Sequence, residues 1–161
     1  MKITCLFAAV LFLAVGVRGA SAQAVPTVAV QVGYDVGYNV GASDVGNAFD
    51  MSLNLGLTDS LQVGVTFLSG DGAQFQSYRL LELSYAVMPK LGALVSIGSQ
   101  TTGAGSPLPV AGLGLYSNLL GKDVQGSLQT GLKLLVEYLA PIGTSFDSGT
   151  LRLGIVAWVG L

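Results

Sequence analysis

From Val28 to Val40 the chain alternates with a period of two. Val28, Val30, Val32, Tyr34, Val36, Tyr38 and Val40 take the even positions, and Ala29, Gln31, Gly33, Asp35, Gly37 and Asn39 the odd ones. A helix would scatter these apolar residues around its circumference, whereas a strand gathers them on one face. The pattern returns down the chain. Phe49, Met51, Leu53, Leu55 and Leu57 alternate with Asp50, Ser52, Asn54 and Gly56; Leu61, Val63, Val65 and Phe67 alternate with Gln62, Gly64 and Thr66. A fourth strand is clearest from Leu81 to Val87, a fifth from Leu91 to Gly98 with Leu94 out of pattern. The sixth is weak, with Leu113 and Leu115 set against Gly112 and Gly114. The seventh runs from Val124 to Tyr138 and the eighth from Leu151 to Leu161.

Composition says what surrounds the apolar faces. Hydrophobic residues make up 51% and mean hydropathy is +0.65, yet no stretch after residue 22 is long and apolar enough for a spanning helix. Charged residues are 10%, against about 25% in an ordinary soluble domain. In lipid only helices and closed barrels satisfy their backbone groups, so the strands point to a transmembrane barrel. A soluble lipocalin-like barrel or sandwich also alternates, but it needs a charged outer face. Here the polar partners are mainly Gly, Ser, Gln and Asn.

The first residues have another purpose. Lys2 precedes an apolar run from Ile3 to Val17, and Ala20-Ser21-Ala22 is a small-residue exit. This is the layout of a secretory signal peptide, so residues 1–22 are expected to be removed and 23–161 to form one barrel domain. Cys5 falls inside that segment. Two of the seven Lys and Arg also precede residue 22, leaving five against nine Asp and Glu, a net charge of −4. Nucleic acid is not an expected partner, since phosphate binding needs clustered Lys and Arg.

The expected links alternate in length. Thr58 to Ser60, Met88 to Lys90 and Leu119 to Asp123 read as short turns; Gly41 to Ala48, Ser69 to Gln74, Gln100 to Pro109 and Ala140 to Gly149 read as longer loops. Bacterial outer-membrane barrels have an even strand number, short periplasmic turns and longer external loops.

The tight hairpin Gly56-Leu57-Thr58-Asp59-Ser60-Leu61-Gln62-Val63-Gly64-Val65 and the strand Leu151 to Leu161 resemble the small outer-membrane barrel proteins of diderm bacteria, the OmpA/OmpX/OmpW-like group. The resemblance is architectural and spans most of residues 23–161. It implies an all-β, eight-stranded antiparallel up-and-down transmembrane β-barrel in the outer membrane. Its implied partners are outer-membrane lipid and the barrel-assembly machinery. Such barrels usually end in an aromatic residue; Leu161 stands there in this chain.

Histidine is absent, and barrel enzymes of this plan use one. Gly103-Ala104-Gly105-Ser106 lacks the strand, Lys and helix of a phosphate loop. No catalytic residue, cofactor or metal site is therefore expected. The candidate site is a set of inward charges, Asp35, Glu82, Lys133, Glu137 and Arg152. Buried charges must pair, so the set reads either as a salt-bridge plug or as the gate of a narrow polar pore. Closure of the eighth strand on the first brings Arg152 and Asp35 onto neighbouring strands at different heights, and Lys133 is expected to be held by inward carboxylates such as Asp35, Glu82 or Glu137. Three functions follow: a non-enzymatic structural or surface-interacting barrel, a narrow channel or hydrophobic-solute conduit, and a soluble secreted binding barrel.

Overall fold

The computed structural model describes residues 28–71, 76–88, 90–101, 106–125, 128–144 and 148–161. The expected signal segment, Phe75 and Gly103 to Gly105 lie outside them. The strands are β1 (Val28–Asn39), β2 (Asp44–Gly56), β3 (Leu61–Gly70), β4 (Ser77–Met88), β5 (Leu91–Thr101), β6 (Leu108–Gln125), β7 (Leu128–Pro141) and β8 (Thr150–Gly160). Each pairs antiparallel with its neighbours in sequence, and β8 pairs with β1, closing an up-and-down barrel. Val28 and Leu161 finish the seam by exchanging backbone hydrogen bonds of 3.1 and 2.9 Å. Among the described strands no sheet edge is left unpaired.

Alternation sets the facing. On β1, Val30, Val32 and Tyr34 are exposed outward while Ala29, Gln31 and Asp35 are buried inside; β8 keeps the same rhythm without a break. Paired residues lead from Ala29 through Asn54, Gly64, Glu82, Ser96, Gly112, Leu139 and Thr150 to Asn39. One circuit thus ends ten residues above its start, at 39 rather than 29 on β1. With about 3.3 Å per residue and about 4.8 Å between strands, that offset tilts the strands by about 40°. Side chains level in the lumen therefore need not be paired in register.

Several sequence expectations require correction. The first link is a turn over residues 40–43, and β2 begins at Asp44 instead of after Ala48. Asn39 Oδ1 accepts from Ala42 N at 3.2 Å, and Ser43 takes the left-handed φ of 55° that closes the reversal. The sixth strand, weakest in sequence, is the longest at 18 residues. It absorbs the turn expected at Leu119 to Asp123 and also Val124, which had been placed on the seventh strand. Leu94 faces inward and packs with Tyr116 and Leu135. Trp158 points inward at 9% exposure. Tyr34, Tyr38, Phe49 and Phe67 face outward as expected.

Candidate functional site

Arg152 organises the lumen. β8 turns its side chain inward, beside Gly37 of β1 and Glu137 of β7 in register. Its Nε donates to Glu137 Oε2 at 2.6 Å and its Nη2 to Glu82 Oε1 at 3.0 Å. Glu82 stands on β4, four strands away in either direction around the barrel, so the guanidinium bridges opposite walls. Nη1 lies 3.8 Å from Asp35 Oδ2 and 3.5 Å from Asp50 Oδ2. Those separations give Coulomb attraction without a well-formed hydrogen bond. Ser96 on β5 donates its hydroxyl to Glu137 Oε1 at 2.5 Å. Six strands, β1, β2, β4, β5, β7 and β8, are thereby joined in one layer near mid-height.

Four of the five expected site residues meet here: Asp35, Glu82, Glu137 and Arg152. Lys133 does not form the predicted ion pairs. Its Nζ lies over the Tyr116 ring, 5.6 Å from the centroid, two inward positions nearer the turn end than Glu137. A ring face attracts a cation without neutralising it. Arg152, not Lys133, is the keystone. The physical reason is height: the stagger of the strands brings four carboxylates level with Arg152 and leaves Lys133 below them. Asp50 was missed as a member, although its inward parity was readable.

Apolar side chains seal the layer. One inward step nearer the loop end lie Ala48 above Asp50, Leu80 above Glu82 and Leu139 above Glu137, clustered with Leu68, Tyr78 and Val110. Towards the turn end, Leu94 and Leu135 stand under Ser96 and Glu137 and pack with Tyr116. Arg152, Asp35 and Glu137 retain no exposed side-chain surface. Several inward glycines make room for this filling. A Cβ on Gly112 would meet Ser96 and Glu137, one on Gly154 would meet Asp35, and one on Gly131 would meet the Trp158 ring. Among the described residues no group of three or more His, Cys, Asp or Glu is arranged to hold a metal ion.

Chemically, the layer ties six strands together around one guanidinium.

No family model and no curated protein matches the chain. Among solved structures it is similar to a protein described under "De novo design of transmembrane beta-barrels", with a TM-score of 0.54 and 20% identity over 84% of this chain and 98% of that one. At that identity the likeness establishes the barrel fold.

Proposed function

We propose that the chain is a non-enzymatic outer-membrane β-barrel with a structural or surface-interacting role and a lumen closed by side chains. The observation that carries this reading is the inversion of faces. The outer wall exposes Val30, Leu53, Phe67, Leu81, Ile97, Leu115, Val136 and Ile155 around the circumference, while Asp35, Asp50, Glu82, Glu137 and Arg152 are buried inside. Soluble proteins rarely leave contiguous apolar patches above a few hundred Å² in water. An apolar band around a closed barrel is what lipid requires. The narrow-channel alternative needs the Arg152 layer to part, and a soluble binding barrel needs the opposite facing.

The test is expression of the full chain in a diderm bacterium, followed by fractionation, N-terminal sequencing and planar-bilayer recording. The expected product begins at Gln23 or Val25, fractionates with the outer membrane, migrates differently on gels before and after boiling, and carries no steady current. A detergent-free soluble product would overturn the membrane reading. Steady unitary current would replace the plug with the channel.

A further inference from the structure

Near the loop end of β3, β4 and β5 the outer wall turns polar. On β1 and β8 the outward face stays apolar to that end, through Tyr38 and Leu151. On β3 the last apolar outward residue is Phe67, with Ser69 beyond it. On β4 it is Leu81, with Arg79 and Ser77 beyond; on β5 it is Ile97, with Ser99 and Thr101 beyond. Register joins these positions into a patch, for Arg79 pairs with Phe67 on one side and Ser99 on the other, and Ser77 pairs with Thr101.

Arg79 is exposed and, among the described side chains, is the one charge that points outward from a strand. Among the described residues it forms no ion pair. Asp71, the nearest acid along β3's exit, is drawn towards β2, where its Oδ2 accepts from Asn47 N at 3.5 Å. Ser77 Oγ accepts from Gly70 N at 3.3 Å, which leaves its hydroxyl hydrogen to be donated. A long Arg stem lies along apolar wall while its head reaches the polar rim. The planar guanidinium fork matches the oxygens of a phosphate, and hydroxyl donors beside it complete an anion's coordination.

We propose that Arg79, with Ser77 and Ser99, docks the phosphate of a lipid headgroup in the leaflet at the loop end. The proposal rests on the membrane-barrel reading above. The apolar band ends one to two outward positions early on these three strands, so headgroups meet the wall lower there than elsewhere. Charge complementarity identifies the occupant: a basic side chain near a membrane surface is attracted to anionic headgroups.

The experiment uses the protein purified from membranes in zwitterionic detergent, as wild type, R79Q, R79K and K90Q. Phosphatidylglycerol is the probe, and its retention per barrel is read by native mass spectrometry. R79Q should retain about fivefold less than wild type, from the contribution of one basic side chain near an anionic surface. R79K should fall between them, and K90Q, altered at the turn end, should match wild type. If R79Q and R79K retain the lipid as wild type does while all variants partition into membranes, the headgroup site is wrong and the barrel reading stands. Failure of wild type itself to partition into membranes removes both.

Discussion

Arg152 and Lys133 are two cations in one lumen, on the same inward parity, with opposite surroundings. Arg152 bridges opposite walls and meets four carboxylates. Lys133, on β7, faces Tyr116 and the apolar residues packed around that ring. Parity along a strand assigns a face but says nothing of height. Height follows from the ten-residue offset around the wall, which no single strand encodes. The contrast predicts that one cation holds the barrel together and the other merely fills it.

The sharpest way to break this contrast is Arg152→Met. It strands four acids in a closed space, and removing one partner of a buried pair costs about 3–5 kcal/mol. Urea unfolding in lipid vesicles should show a loss at or above the top of that range. The fraction migrating as folded barrel before boiling is the readout if unfolding cannot be followed. Single-channel recording should show new small-cation current, because the carboxylates lose their common partner. A loss below about 1 kcal/mol would return the layer to the class of exposed pairs.

Glu137→Gln sharpens the comparison inside the layer. It removes the charge from the 2.6 Å bond to Arg152 and disturbs the bond from Ser96. Hydrogen bonds to charged groups are worth about 1.5–3 kcal/mol, and the loss should fall there. Ser96→Ala should cost less, since it deletes one donor and leaves the ion pair. The reverse order would mean that Ser96 positions Glu137 more than Arg152 does.

Lys133→Met is the matched counterpart of Arg152→Met. A cation over a ring contributes about 0.5–2 kcal/mol, and methionine keeps most of the packing. The expected loss is about 1 kcal/mol with no new current. A loss rivalling that of Arg152→Met would make Lys133 a keystone as well.

Sequence legibility followed the same division between face and height. β1 was readable residue by residue because apolar residues alternate with small or polar ones without interruption, whereas β8 turns Val156 and Trp158 inward against that pattern. The Gly56 to Val65 hairpin was readable from its turn chemistry; Thr58 Oγ1 accepts from Ser60 N and Leu61 N at 3.3 and 3.1 Å. β6 was obscured because a register shift between Asn118 and Leu120 leaves both Leu119 and Leu120 exposed, which breaks the period. The start of β2 was mistaken for a loop because its inward residues, Gly46 and Ala48, are small. They are small because they face Gly37 and Asp35 across the pair in a crowded lumen. Four members of the charge layer followed from parity. Asp50 and the isolation of Lys133 depended on inter-strand offset, which propensity does not contain.

The smallest expected effect separates a charge that binds from one that is merely tolerated. Asp35 is fully buried, yet neither of its carboxylate oxygens has a hydrogen-bond partner, and Arg152 Nη1 is 3.8 Å away. It attracts Arg152 weakly while sharing a layer with Asp50, Glu82 and Glu137. Asparagine has nearly the same shape and fits the space that Gly154 leaves. Neutralising a carboxylate that has no hydrogen bond and shares its layer with three others relieves like-charge repulsion, which offsets the attraction lost to Arg152. Asp35→Asn should therefore lie between no change and a gain of about 1 kcal/mol in vesicle unfolding, the scale of a modest change in charge environment. In the Arg152→Met background it should recover part of the lost stability, because one uncompensated carboxylate is gone. A double-mutant cycle over Asp35 and Arg152 measures this coupling. A loss above about 2 kcal/mol from Asp35→Asn alone, on the scale of a tight buried charge contact, would place Asp35 beside Glu137 as a true partner of Arg152. The layer would then be held by balanced pairs, not by one dominant bond with surplus acids around it.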